Sequence, residues 1–361
     1  VNDGVAPLFS VICPTYNRSA KITETIDSVR AQTLQAWELL VLSDGSDDDT
    51  DDWVLRAAHQ DPRVRLHRVE RSGHPSGPRN AGLALARGEF IAYLDHDDLW
   101  RPGHLKALLG MLRAGADFAV TGCTYHDADG AEAAEFAPLS AFWHPQLQVL
   151  GPMFEPSRAA HRRGVVERVG GWRGGAGLED WDLWLRAADA GYTFRTVVEP
   201  TAALLMDVAT RRNRMPRPHR LPLVVLDDAR TAHGLLRELQ SGRHDESFRA
   251  AVSADMRDWY RRMDDSGALV RPLDWDGDLD DEIRRVVSGE VKLFEELVLV
   301  PDRGRYALAR NLLCSRTEHA HRAAGLVPSV QPRVLRLVRD LAEDGPGGRV
   351  GRSDQAQLLG P

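Results

Sequence analysis

Lysine is nearly missing from this chain. Only Lys21, Lys106 and Lys292 stand among 46 basic side chains; the rest are Arg, which together with abundant Ala and Gly reads as GC-rich coding rather than as a functional signal. Positive charge is not in excess, since the formal net charge is −7, so no global field exists to hold a phosphate backbone. Nucleic acid is excluded as the main partner. Cysteine is scarce, odd in number and widely spaced (Cys13, Cys123, Cys314), which fits reduced thiols better than a disulfide framework or a zinc site. No apolar run approaches the roughly 20 residues of a membrane span. No basic-then-apolar leader opens the chain, and a cytoplasmic location is expected. H-E-x-x-H, P-loop and G-x-G-x-x-G patterns are also lacking, which argues against zinc metalloproteases, P-loop kinases and dinucleotide-dependent dehydrogenases.

What is present is ordinary in bulk. The 361 residues, 43% apolar and 27% charged, suit a globular chain with one large domain or two smaller ones. Through the first two-thirds, strand and helix patterns alternate. Apolar runs at 8–13, 37–42, 64–69, 90–94 and 117–124 read as strands, and residues such as Ile22, Ile26 and Val29 recur at helical spacing between them. This alternation predicts an α/β fold: a Rossmann-like, mostly parallel sheet sandwiched by helices. Residues 1–210 are assigned to that domain. Residues 211–222, with five Arg and three Pro, read as a linker. Residues 223–344 read as an α-helical C-terminal extension without strands, and 345–361 as a flexible tail.

Polar residues collect where the expected strands end: Pro14-Thr15-Tyr16-Asn17, Ser43-Asp44-Gly45-Ser46 and Asp95-His96-Asp97-Asp98. On a parallel sheet those ends lie side by side and face the ligand crevice. Each taken alone is compatible with a plain turn. Several carboxylates on adjacent loops repel one another unless a cation or hydrogen bonds offset the charge, and oxygen ligands of this kind suit Mg²⁺ or Mn²⁺ beside phosphates.

Five stretches together, FSVICPTYN at 9–17, VLSDGS at 41–46, RNAG at 79–82, GEFIAYLDHDD at 88–98 and GGWRGGAGLEDWDLWLR at 170–186, resemble family 2 glycosyltransferases of the GT-A fold. The resemblance covers about residues 9–206 and implies inverting transfer from a nucleotide-diphosphate sugar, usually UDP-linked. It implies that Pro14, Thr15, Tyr16, Asn17 and Asp44 line the donor pocket and that Arg79 sits near base and diphosphate. Asp95-His96-Asp97 would be the DxD motif, with Asp95 toward the ribose and Asp97 on a divalent cation, Mn²⁺ or Mg²⁺. Asp180 of the Glu179-Asp180 pair would be the general base. Two departures stand out. Ser43 replaces the acid common beside Asp44, and no His follows Pro200, so that Asp98, Asp207 or His219 stand as alternative metal ligands, or the third protein ligand is absent.

The chemistry asks for such parts independently: a cation for charge developing on the leaving diphosphate and a carboxylate to take the acceptor proton. At a helix start Asp180 is expected to be ionised, although an Asp there also suits a plain N-cap. The glycine-rich run 170–177 is expected to be a mobile loop beside the acceptor, with Trp172 stacking on sugar, while Trp181 and Trp184 read as core. The acids Asp274, Asp276 and Asp278 have EF-hand spacing, but Leu279 occupies the obligatory Gly position, and solvated surface is expected. The acceptor is expected to be a small molecule, peptide or glycan, and the C-terminal helices are expected to complete its site, to mediate homodimerisation, or both. The rivals are a nucleotidyltransferase, which would release pyrophosphate, and a non-catalytic nucleotide-sugar-binding domain.

Overall fold

Seven consecutive buried residues, Phe9–Thr15, form the first strand, β1. Burial of every side chain means both faces are covered, as a central parallel strand requires. Helix α1 (Ile22–Arg30), strand β2 (Trp37–Asp44), helix α2 (Thr50–Gln60) and strand β3 (Val64–Val69) follow, then α3 (Ser76–Leu85) and β4 (Phe90–Tyr93). In the computed structural model the described residues are 6–134, 136–151, 153–175, 177–206, 219–288, 297–302, 304–312, 316–344 and 350–351. Two units divide between Arg214 and Met215, with Val270–Trp275 belonging to the first.

In the first unit the strands order as β3-β2-β1-β4, all parallel. The sheet continues through β8 (Ala159–Arg162), antiparallel to both β4 and β6 (Phe118–His126), and then β9 (Phe194–Leu205), parallel to β6. The short strands β5 (Leu99–Trp100) and β7 (Glu132–Ala134) pair antiparallel with β9 and β6. The mostly parallel α/β sheet expected from the alternation is therefore present. The chain leaves β1 toward β2 and β3 on one side and returns to β4 on the other. The carboxyl end of β1 is thus a topological switch point, where a crevice opens.

Two apolar clusters cover the faces. One packs β1 and β2 side chains such as Val11, Leu39 and Val41 under α1, α2 and α4 (His104–Arg113). A short helix, α5 (Pro145–Leu150), follows β7 in the chain. The other cluster packs Ile12, Leu40, Tyr93 and Phe118 under α3, α6 (Val165–Arg168) and α7 (Glu179–Asp189). Gly82 makes this second cluster possible: a Cβ there would lie 2.6 Å from Ile12 Cγ2, so only glycine lets α3 approach β1 this closely. Asp274, Asp276 and Asp278 are exposed, as expected for solvated surface, and Asp274 also accepts from the backbone N–H groups of Val198 (2.7 Å) and Glu199 (2.9 Å) of β9.

The second unit departs from the all-helical expectation. It holds a four-stranded sheet ordered β11-β12-β10-β13, from β10 (His219–Leu226), β11 (Leu297–Asp302), β12 (Arg305–Leu312) and β13 (Val350–Gly351). Helices Ala229–Gln240, Asp245–Asp265, Leu279–Ser288, Thr317–Val330 and Pro332–Glu343 accompany it. The segment 219–222, taken for linker because of its Arg and Pro, is strand. Pro222 sits at a register shift of the β10–β12 ladder, one of the few places a sheet accepts proline. The helix expected from 223 begins at Ala229, after Asp228 caps it by accepting from Thr231 N–H. Residues 211–218 of the expected linker, and 345–349 and 352–361 of the expected tail, lie outside the described residues.

Gly82→Val is expected to force α3 off β1 and to lower unfolding free energy by about 1–3 kcal/mol. Denaturant unfolding measures this, and an unchanged midpoint would show that the close approach is not required.

Candidate functional site

The carboxyl ends of β1, β2 and β4 bring the three polar clusters together. Thr15 closes β1 and lies beside Ser43 of β2. Asn17 and Ser19 follow with φ of 48° and 45°, left-handed conformations uncommon outside glycine. Side chains hold them there. Asn17 exchanges bonds with Asp47, its Nδ2 donating to Oδ1 (2.5 Å) and its Oδ1 accepting from the Asp47 N–H (3.1 Å). Its own N–H donates to Ser46 Oγ, which also meets the Ser43 hydroxyl at 3.0 Å. Ser43 therefore stitches the loop where an acid was expected.

Asp44 is almost fully enclosed. One carboxylate oxygen accepts from the Ser72 N–H (2.7 Å) and hydroxyl (2.8 Å), the other from Gly73 N–H and Arg71 Nη1 (both 2.9 Å). A carboxylate offers about four lone-pair sites, and here all are used by the loop 71–73. The Arg71 guanidinium also lies 3.3 Å from the centre of the Tyr16 ring, against one of its faces. Asp44 thus shapes the loop 71–73 beside the carboxyl end of β2.

Arg79 is the central charge. It is 2% exposed and donates from Nη2 to Asp95 (2.7 Å) and from Nη1 to Glu179 (2.9 Å). Burial opposes its charge, but those two carboxylates more than offset this, and its proton is held more tightly than in water. One buried guanidinium thus ties the loop after β4 to the start of α7, residues separated by 84 positions in sequence (179 minus 95).

Within Asp95-His96-Asp97-Asp98 the four side chains divide. Asp95 and Asp97 stay partly exposed, Asp95 on Arg79 and Asp97 on Arg18 at 2.5 Å. The His96 ring turns back toward β1: its Nδ1 accepts from the Tyr16 N–H at 3.2 Å. Burial first, then Arg18, push its pKa down to about 4, leaving a neutral ring. Asp98 is removed from the candidate metal set. It is buried, accepting from the Ser157 hydroxyl (2.5 Å) and the Leu205 N–H (2.9 Å). Burial first, then Asp97 and Asp95, raise its pKa well above the carboxylate range. Asp95 and Asp97, the two outward carboxylates, suit a hard divalent cation by donor chemistry. Asp207, a further candidate ligand, lies outside the described residues, and His219 opens β10 of the second unit.

Trp172 is not a sugar platform. It is 3% exposed, meets Tyr93 edge-on with ring centres 4.9 Å apart, and carries the Arg79 guanidinium 4.5 Å over its ring. Nor is the glycine-rich run mobile throughout. Asn80 both donates to the Trp172 carbonyl (2.8 Å) and accepts from its N–H (2.9 Å). Ser76 donates to the Arg173 carbonyl, and Arg186 to the carbonyls of Val169 and Gly171. An apolar ring flanked by glycines reads as exposed in sequence; here the glycines let the backbone turn while the ring enters the core. Trp181 and Trp184 are buried as expected, their ring N–H groups donating to the carbonyls of Gln148 and Phe154.

Glu179 and Asp180 open α7 after Leu178, itself left-handed at φ 57°. Asp180 is not the N-cap, because it lies inside the first turn and accepts from the Trp181 N–H. Burial first, then the adjacent Glu179 charge, push its pKa up to about 7. The helix end alone would have kept it ionised; desolvation outweighs that. Sequence reading missed Arg18, Ser157 and Asn80. Arg18 was legible as the residue after the PTYN stretch and Asn80 as the neighbour of Arg79, whereas nothing local marks Ser157, which both holds Asp98 and accepts from the Asp95 N–H (2.9 Å).

Residues 10–163 match the profile of the family described as Glycosyl transferase family 2. The putative glycosyltransferase EpsE of Bacillus subtilis is 30% identical over 196 residues, 52% of this chain and 68% of that protein. The Escherichia coli UDP-Glc:alpha-D-GlcNAc-diphosphoundecaprenol beta-1,3-glucosyltransferase WfgD is 41% identical over 105 residues, 29% of this chain and 41% of that one. A crystal structure of S. aureus TarS with UDP-GlcNAc is similar with TM-score 0.48 and 20% identity, over 56% of this chain and 60% of that one. Several curated relatives are matched over 20% to 53% of their own length.

Because the folded pKa of Asp180 lies above its unfolded value of about 3.9, its contribution to stability is full below pH 4 and is lost as pH rises to about 7. Asp180→Asn lacks that loss. Its melting temperature is expected to gain on the wild type between pH 5 and pH 8; a pH-independent difference would contradict the raised pKa.

Proposed function

The chain belongs to glycosyl transferase family 2, and we propose that it transfers a sugar from a nucleoside-diphosphate donor, a UDP-sugar, to an acceptor on a small molecule or glycan, with inversion. The observation that carries this reading is the Arg79 bridge, which gathers the donor-side acid Asp95 and the Glu179-Asp180 pair around one buried charge. The UDP-Glc specificity in the name of the E. coli relative supports the donor class.

The donor lies across the carboxyl ends of β1, β2 and β4. Thr15 and Tyr16 form its floor, and Asp44 fixes the loop 71–73 that walls it. Asp95 and Asp97 would hold Mn²⁺ or Mg²⁺, which when bound stabilises the negative charge developing on the departing diphosphate. Asp180 accepts the acceptor hydroxyl proton as that oxygen attacks the anomeric carbon from the face opposite the diphosphate. With a pKa of about 7, its deprotonated form is both populated and basic at neutral pH. Glu179 remains on Arg79, and its charge keeps the neighbouring carboxylate basic. Inversion follows from a single displacement without a covalent intermediate.

Asp180→Asn is expected to lower transfer by about 10²–10⁴-fold while UDP binding, measured by calorimetry, stays near the wild-type value. Transfer at the wild-type rate would overturn the base assignment. For the wild type, kcat/KM should rise with pH through about 7 and level off above it, since only the deprotonated carboxylate serves.

Asp97→Ala is expected to abolish the gain in UDP affinity that Mn²⁺ confers. If the wild type binds UDP equally with and without metal, the cation role fails.

A further inference from the structure

We propose that Arg18 is a movable counter-charge: it competes with the divalent cation for Asp97, and when a donor binds it passes to the diphosphate, so that cation and nucleotide enter as a pair. The inference rests on the nucleoside-diphosphate reading above.

The two arginines of the site are held differently. Arg79 is 2% exposed with each end on its own carboxylate. Arg18 is 31% exposed at its side chain and reaches Asp97 Oδ2 through Nη2. Its Nε is enclosed and has no hydrogen-bond partner among the described residues. A guanidinium is a fork suited to two parallel bonds with carboxylate or phosphate, and an enclosed donor without a partner is unfavourable. Arg18 is therefore only half engaged on Asp97, with a second donor ready for another anionic oxygen.

Its backbone holds it at that place. Arg18 stands between Asn17 and Ser19, both left-handed, and the N–H groups of Arg18 and Ser19 both donate to Thr50 Oγ1 at 2.7 Å. Left-handed residues outside glycine persist only where their surroundings impose them. Here the bonds of Asn17 to Ser46 and Asp47, and of Ser19 to Asp49, do so. The strap fixes where the Arg18 side chain starts and leaves its tip to choose a partner.

The consequence is electrostatic. A cation approaching Asp97 alone meets a carboxylate that is already neutralised and a like charge beside it. A nucleoside diphosphate brings negative oxygens that draw Arg18 away and that also ligate the cation. Each ligand then improves the site for the other, and by linkage the factor is the same in both directions.

Calorimetry on the full chain tests this with Mn²⁺ alone, UDP alone, and UDP with Mn²⁺. In the wild type, UDP should tighten Mn²⁺ binding by about tenfold or more. In Arg18→Gln, Mn²⁺ alone should bind about 3- to 10-fold tighter, UDP with Mn²⁺ about tenfold weaker, and the coupling factor should collapse toward one. A purely structural role would weaken both ligands together, and that outcome, or no change in either, overturns the proposal while leaving the nucleotide reading intact. If the Gln variant does not fold, Arg18→Lys decides. Lys keeps the charge but not the fork, so Mn²⁺ alone should bind as in wild type and UDP with Mn²⁺ several-fold weaker; unchanged affinity overturns the proposal. A wild type that binds neither UDP nor GDP with Mn²⁺ defeats the nucleotide reading and the proposal with it.

Discussion

One buried guanidinium organises the first unit's site. Arg79 is withdrawn from solvent on α3, with Asp95 at one end and Glu179 at the other. A charge so placed is unfavourable unless paired, and each carboxylate is in turn held by it. Removing the arginine would leave two acids of like sign near Asp97 and Asp180 with no common counter-charge. The bridge therefore fixes the distance between the loop after β4 and the start of α7, and every proposed catalytic role is measured from it. Trp172 supports it from below, its ring under the guanidinium and its backbone held by Asn80, the next residue after Arg79.

The rest of the site is management of negative charge around that bridge. Asp98 is folded inward and satisfied by Ser157 and Leu205, out of the crevice, and the local negative field is set by Asp95 and Asp97. The same field, after burial, raises the pKa of the Cys13 thiol beneath it. His96 is kept neutral and turned toward β1, so the second residue of its motif serves the backbone. Asp44 spends its carboxylate on the loop 71–73. After these arrangements Asp95 and Asp97 stay partly exposed, and Asp180, desolvated at the start of α7, has the raised pKa that proton transfer calls for. A raised pKa there trades stability above neutrality for reactivity, a common feature of functional sites.

The sequence was most legible where structure is local. Apolar runs followed at once by polar turns placed β1, β2 and β4, and with them Thr15, Asp44, Asp95 and Asp97, because strand burial and turn chemistry act over a few residues. It was least legible where pairing is long-range. The strands β8 and β9 and the sheet of the second unit depend on partners far away in the chain, such as Phe118 against Phe194 or His219 opposite Leu312. Composition misled there as well: Arg and Pro at 211–222 suggested a linker, yet a ladder irregularity accommodates Pro222.

The order of motifs by itself determined the fold class and the family, and it singled out the acids proposed to act. Those follow from residue type and spacing, which the chain carries in one dimension. Tertiary structure alone decided what each side chain faces: that Trp172 is core, that Asp98 is inward, that Arg18 rests on Asp97 and that Asp180 is desolvated into basicity. Burial and charge pairing are properties of neighbours in space, and Glu179 reaches Asp95 through Arg79 only once α3 and α7 have packed on the same face of the sheet that holds β4.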